Sequence, residues 1–199
     1  MNAILLAGGK SSRFGKNKAL AKLDGERLIE RVSSRLQEVF DEVYVVVNDK
    51  SIYSFLTGIK LVKDIIPHQG PLGGLYTGLT YSDAQYNFLM ACDMPCIDLN
   101  YLNFLKQEEK NYDVLIPKTK EGYLEPLAGV YSQDCLEPVK RKLDKQQLKL
   151  ISFFPEVTVR TISEEKIKEV TDPERNFYNI NYQTDLKELT KKINCYYPH

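Results

Sequence analysis

The chain has no tryptophan and only two histidines, His68 and the terminal His199. That leaves His68 as the single internal imidazole base, and a Ser-His-Asp or Cys-His hydrolase is not expected. Four cysteines (Cys92, Cys96, Cys135 and Cys195) have no zinc-ligand spacing. Cys92 and Cys96 frame Asp93-Met94-Pro95 and are expected as small buried side chains. Neither sign of charge is in excess. The 27 basic residues cancel the 27 acidic ones, so no general attraction to nucleic acid or anionic lipid is expected. The thirteen tyrosines are not interleaved with basic residues, as a nucleic-acid surface would require. No apolar run approaches the ~20 residues of a membrane span. Met1-Asn2-Ala3 passes directly into an apolar strand, which leaves no room for a signal peptide, and a cytoplasmic protein is the expectation. Nor does any repeat or low-complexity linker divide the 199 residues, so residues 1–199 are expected to form a single domain.

What is present is an alternation of strand and helix patterns. Strands are predicted at residues 3–6, 43–47, 60–63, 88–91, 113–117, 128–131 and 157–162. Helical spacing covers residues 28–39, 75–81 and 135–143. Asp98 or Asn100 is positioned to cap a helix running to Lys106, and Thr184 to cap a last one from Asp185 to about Ile193. Regular β/α alternation predicts an α/β fold, a three-layer α/β/α Rossmann-like sandwich with a mostly parallel sheet. Ligands of such sheets sit beyond the carboxyl ends of the strands.

Three segments fall at that edge. The first strand opens into Gly8-Gly9, and a stretch with Lys10, Arg13, Lys16 and Lys18 follows. Glycines let backbone N–H groups approach an anion, and the cations match its charge, so the loop predicts a phosphate or polyphosphate ligand. It is not a Walker loop, because five residues separate Gly9 from Gly15 and Asn17 stands where Ser or Thr is needed. It also lacks the dinucleotide G-x-G-x-x-G pattern. A solvated basic turn is the plain alternative. Asn48 closes the second strand. Asp93 follows the fourth, in Phe88-Leu-Met-Ala-Cys-Asp-Met-Pro95, where a carboxylate facing a phosphate loop suits Mg²⁺. A turn or helix-capping aspartate is the plain alternative for Asp93.

Leu6-Ala-Gly-Gly-x-Ser-x-Arg-Phe-Gly-x-x-Lys18-Ala-Leu20 resembles the opening loop of the nucleotidyltransferases, and its Ala-Gly-Gly form resembles the molybdenum cofactor guanylyltransferases. Three further segments extend the resemblance over nearly the whole chain. Gly70-Pro-Leu-Gly-Gly74 is similar to the family's second glycine segment, with Gly73 in place of an alanine. Glu125-Pro-Leu-Ala-Gly-Val-Tyr131 is similar to its Pro-Leu-x-x-x-Tyr stretch, and Asn179-Ile-Asn181 to its Asn-x-Asn segment.

The resemblance implies transfer of GMP from GTP to molybdopterin, with Mg²⁺ held by Asp93. It implies catalytic roles for Lys18, Arg13 and Asp93. It places GTP against Leu6, Ala7, Gly8, Gly9, Lys18, Asn48, Asp64, Gly70, Pro71, Leu72 and Asp93. Pro126, Leu127, Asn179 and Asn181 are implied for the acceptor. Transient contact with molybdoenzyme maturation proteins is the implied partnership, with no nucleic acid and no membrane. A cytidylyl or sugar-phosphate nucleotidyltransferase of the same fold, and a nucleotide-binding carrier that hands on the cofactor without catalysis, are the rival readings.

Overall fold

The computed structural model describes residues 1–8, 14 and 17–196, with side chains through residue 191. In chain order the strands and α-helices are β1 (Asn2–Leu6), β2 (Lys22–Leu23), β3 (Glu26–Arg27), α1 (Leu28–Gln37), β4 (Val43–Val47), β5 (Lys60–Lys63), α2 (Gly70–Tyr81) and β6 (Tyr86–Ala91). Then follow α3 (Leu99–Gln107), β7 (Val114–Lys118), β8 (Ala128–Ser132), α4 (Leu136–Asp144), β9 (Val159–Ser163), α5 (Glu164–Lys168), α6 (Pro173–Asn176) and α7 (Gln183–Tyr196).

Seven strands form one sheet in the order β5-β4-β1-β6-β8-β7-β9. Only β8 runs against the rest. The inner strands read as unbroken apolar runs because both sheet faces are covered. Side chains alternate between the faces. Ala3, Leu5, Val43, Val45 and Val47 join the α1 and α3 side chains Val32, Leu36, Leu102 and Leu105 in one core. Ile4, Leu6, Tyr44 and Val46 join Leu72, Leu75 and Leu79 of α2 and Val139 and Leu143 of α4 in the other. The predicted three-layer α/β/α sandwich is the observed one.

Boundaries differ from the sequence expectation where caps decide them. Helix α2 starts at Gly70, five residues before the expected Leu75, with Pro71 in its first turn, where a missing N–H is harmless. Asp98, not Asn100, caps α3, accepting from the Asn100 amide at 2.8 Å. At α7 the capping group is Asp185 rather than Thr184. Its Oδ2 accepts from the amides of Asn181 and Tyr182 at 2.7 and 2.8 Å, so the helix begins earlier, at Gln183. The β2–β3 hairpin and the 3₁₀ stretch Leu150–Glu156 have no counterpart in the expected pattern.

The sheet order places the site. From β1 the chain moves to one side through β4 and β5, then returns to the other side at β6. The crevice at the carboxyl edge between β1 and β6 is the point where that direction reverses, which is where ligands of open α/β sheets bind.

Candidate active site

One backbone bond brings the opening loop and the Asp93 segment together, the Cys92 amide donating to the Leu6 carbonyl at 3.1 Å; on the other side the Ala7 amide donates to the Val46 carbonyl of β4 at 3.1 Å. Lys18, at the far end of the loop, reaches back across the crevice. Its Nζ lies 2.8 Å from Asp93 Oδ2, in a pair whose side chains are 14% and 24% exposed. The other carboxylate oxygen, Asp93 Oδ1, is buried and accepts no hydrogen bond from the described residues. A buried acceptor left unmatched is costly, so an oxygen in that state marks a place for a ligand. No cluster of three or more acidic, His or Cys side chains suited to a metal occurs among the described residues. That donor set fits Mg²⁺, which takes one or two carboxylates and completes its shell with phosphate oxygens and water.

The loop's two ends are tied by a residue the sequence gave no reason to select. Asn17 Nδ2 donates to the buried Tyr53 hydroxyl at 2.9 Å, and that hydroxyl lies 3.3 Å from the Ala7 carbonyl, to which it donates. Burial pushes the Tyr53 hydroxyl above its ordinary pKa, so it stays a donor at neutral pH. Asn17 also caps the short 3₁₀ turn that carries Lys18, accepting from the Ala19 amide at 3.2 Å. Gly9 and Arg13 lie outside the described residues, as do Lys10 and Lys16.

Five of the residues expected around the nucleotide share one cleft on the β1/β4/β5 side: Leu6, Gly8, Asn48, Asp64 and Gly70. The Asn48 amide stands against Gly8, with Nδ2 3.5 Å from where a Cβ would sit. Asp64 Oδ1 is already engaged, accepting from the Thr77 hydroxyl at 2.8 Å and the Ile66 amide at 3.2 Å. The Thr77 bond joins the end of β5 to α2. Helix α2 lies close on β1, since a Cβ at Gly78 would fall 2.4 Å from Ile4 Cγ2 and one at Gly74 2.7 Å from Leu6 Cδ2. Gly70 begins the helix at a φ of 63°, a conformation that favours glycine. The close approach aims the first turn of α2, with its free amides, at the cleft. Pro71 is exposed beside that turn, whereas the Leu72 side chain is fully buried in the core and leaves only its backbone to a ligand.

The residues expected to face the acceptor arrive from two directions. Because β8 is antiparallel, its first residue Ala128 pairs with Met90 near the end of β6, which brings Pro126 and Leu127 to the same edge as Asp93. The Tyr131 hydroxyl donates to the Pro126 carbonyl at 2.6 Å and fixes that entry. Between the exposed side chains of Asn179 and Asn181, the Ile180 amide donates to the Asp93 carbonyl at 2.9 Å. The following helix is anchored to the opening loop, as Gln183 Nε2 donates to the Phe14 carbonyl at 3.3 Å. Burial raises the Asp185 carboxyl. The Tyr182 and Asn181 amides, the Thr184 hydroxyl and the Lys18 charge more than offset this, and the carboxyl lies below its ordinary value. Ile180, Gln183 and Asp185 carry no motif of their own; only their neighbours Asn179 and Asn181 gave a sequence signal.

Beside this geometry, comparison with known proteins gives a consistent picture. Residues 3–157 match the MobA-like NTP transferase domain family. A probable molybdenum cofactor guanylyltransferase of Clostridium perfringens is 35% identical over 198 residues, covering 96% of each chain. A molybdenum cofactor guanylyltransferase of Desulfosudis oleivorans is 35% identical over 203 residues, 97% of this chain and 96% of its own. Among solved structures, the molybdopterin-guanine dinucleotide biosynthesis protein A of Archaeoglobus fulgidus superposes with a TM-score of 0.85 at 25% identity. It covers 98% of this chain and 100% of its own.

Proposed function

The chain belongs to the MobA-like NTP transferase domain family, and from that premise we propose that it transfers GMP from GTP to the terminal phosphate of molybdenum-loaded molybdopterin. The observation that carries the reading is the Lys18–Asp93 pair, closed across the β1/β6 crevice with one Asp93 oxygen left unmatched. An oxygen of the acceptor phosphate attacks the α-phosphorus of GTP, the bond to the β-phosphate breaks, and pyrophosphate departs. The attacking phosphate is already anionic at neutral pH, so no strong general base is required, which agrees with the scarcity of histidine. Catalysis rests on positioning and on neutralising charge that grows on the phosphoryl oxygens.

Asp93 would hold Mg²⁺ through its unmatched oxygen, and the ion supplies charge to the polyphosphate when bound. Lys18 then exchanges its carboxylate partner for a phosphate oxygen, as a compact ammonium does readily. Arg13 and the Gly8-Gly9 backbone complete the phosphate contacts in this reading. The guanine ring takes the cleft of Asn48, Asp64 and Gly70. Pro126, Leu127, Asn179 and Asn181 face the acceptor.

Incubation with MgGTP and molybdopterin, read by mass spectrometry for the guanine dinucleotide, tests the transfer. Pyrophosphate release compared across GTP, CTP, UTP and ATP tests the base. A clear preference for CTP would overturn the guanine assignment, and GTP binding without turnover would reduce the protein to a carrier.

A further inference from the structure

A second cleft lies at the same carboxyl edge, on the β7/β8/β9 side. Its walls combine the buried Pro117, Ile167 and Pro173 and the half-buried ring of Phe177 with charged side chains, Lys118, Lys120, Glu121, Glu164 and Glu174. Glu125 projects into it. Among the described residues the Glu125 carboxylate has no hydrogen bond or ion pair, and burial alone pushes its pKa above the ordinary value. A half-buried carboxylate that no described residue pairs, at a cleft that also holds the apolar face of Phe177, is left short of donors in the free protein, and a flat ligand that brings N–H donors would supply them.

The cleft is close to the reacting centre. Phe177 lines it, and three residues further on the Ile180 amide is bonded to the Asp93 carbonyl. Three residues span at most about 11 Å. The Phe177 ring is held edge-on against the buried Tyr101, with centroids 5.3 Å apart, so its position is set before any ligand arrives. The guanine cleft lies on the opposite side of Asp93, over β1, β4 and β5. Each side carries a carboxylate, but Asp64 has one oxygen committed to Thr77 and Ile66, whereas no described residue pairs Glu125.

We propose that Glu125 is a specificity-determining residue for the acceptor: its carboxylate accepts the ring N–H and 2-amino donors of a 2-amino-4-oxopyrimidine, the pterin edge of molybdopterin, while Phe177 supplies a face for the fused ring. The inference rests on the guanylyl-transfer reading. A pterin presents the same donor pair as guanine, so a carboxylate is a fitting partner for its edge. A carboxylate with two acceptor oxygens matches that pair, whereas a glutamine offers one acceptor and a mismatched N–H.

The test is steady-state transfer by the full chain, varying molybdopterin and MgGTP separately. Glu125→Gln raises the KM for the acceptor about tenfold or more, the loss of one charge-assisted hydrogen bond, and leaves the KM for GTP within about twofold. Glu125→Asp, which keeps the charge on a shorter stem, recovers part of the loss and carries the test should the glutamine variant not fold. Free pterin inhibits the wild type competitively against molybdopterin and not against GTP. An unchanged acceptor KM in Glu125→Gln, a rise in the GTP KM instead, or pterin competing with GTP would each overturn the assignment. A wild type that forms no dinucleotide defeats the guanylyl-transfer reading itself, which is a separate result.

Discussion

Lys18 and Asp93 neutralise each other at 2.8 Å in the free protein, so two residues 75 positions apart form one charge pair. Because the pair is partly exposed, it contributes only about 0.2–1 kcal/mol to stability. Lys18→Ala should therefore shift Tm by no more than a few degrees while lowering turnover about a hundredfold, the typical loss of one fixed charge donor. Near-wild-type turnover at subsaturating GTP would remove Lys18 from the mechanism. Glu125 has the opposite balance. Its carboxyl is raised in the folded protein, so the fold binds its proton more tightly than the unfolded chain does, and stability falls as pH rises from the unfolded value through the folded one. Glu125→Gln should accordingly be at least as stable as the wild type at pH 8, with any gain vanishing near pH 4, where both states are protonated. Parallel thermal melts at the two pH values measure this. Asp93 was legible in the sequence because it ends an apolar strand, whereas Tyr53 was not, since its partners Ala7 and Asn17 are 46 and 36 residues away.

At the scale of elements, the site depends on how β1, its loop and α2 are held. Tyr53→Phe deletes the hydroxyl that joins the two ends of the loop and should cost about 0.5–1.5 kcal/mol, the net value of a typical hydrogen bond. The same variant should raise the KM for GTP, because Lys18 and Ala7 lose their common tether; denaturant titration and kinetics report the two effects separately. Gly78→Ala drives a methyl to 2.4 Å from Ile4 Cγ2. The overpacking should cost about 1–3 kcal/mol and lift α2 from β1, seen as a lower guanidinium midpoint and weaker GTP binding. An unchanged midpoint would show that helix and strand do not sit so close. Strands on the inner sheet were legible because burial on both faces leaves long apolar runs. The start of α2 was not, since a glycine and a proline read as a loop until their place in the first turn is known.

Over the whole molecule, charge balance leaves the local field of the crevice to attract the nucleotide, and two cores sandwich one sheet. A third, smaller cluster of Phe14, Leu23, Leu28, Cys96, Ile180 and Leu189 draws the opening loop, the β2–β3 hairpin, α1 and the C-terminal segment together. Loop and C-terminal segment are therefore expected to unfold with the sheet. Tyrosine fluorescence and far-UV circular dichroism should trace coincident thermal transitions, the signature of a single cooperative unit. Two separated transitions would divide the chain into independent parts. No helix among the described residues is long and apolar enough to cross a membrane.

The sequence by itself determined the α/β alternation and the acidic strand end, because each is written in contiguous residues whose periodicity or composition can be read locally. The tertiary structure alone decided the sheet order, with its reversal between β1 and β6, and the antiparallel β8 that delivers Glu125, Pro126 and Leu127 to the same edge as Asp93. It also decided the Ile180–Asp93 bond and the Tyr53 tether. Those are pairings between distant segments, fixed by how helices and strands pack, and no local pattern in the chain specifies them.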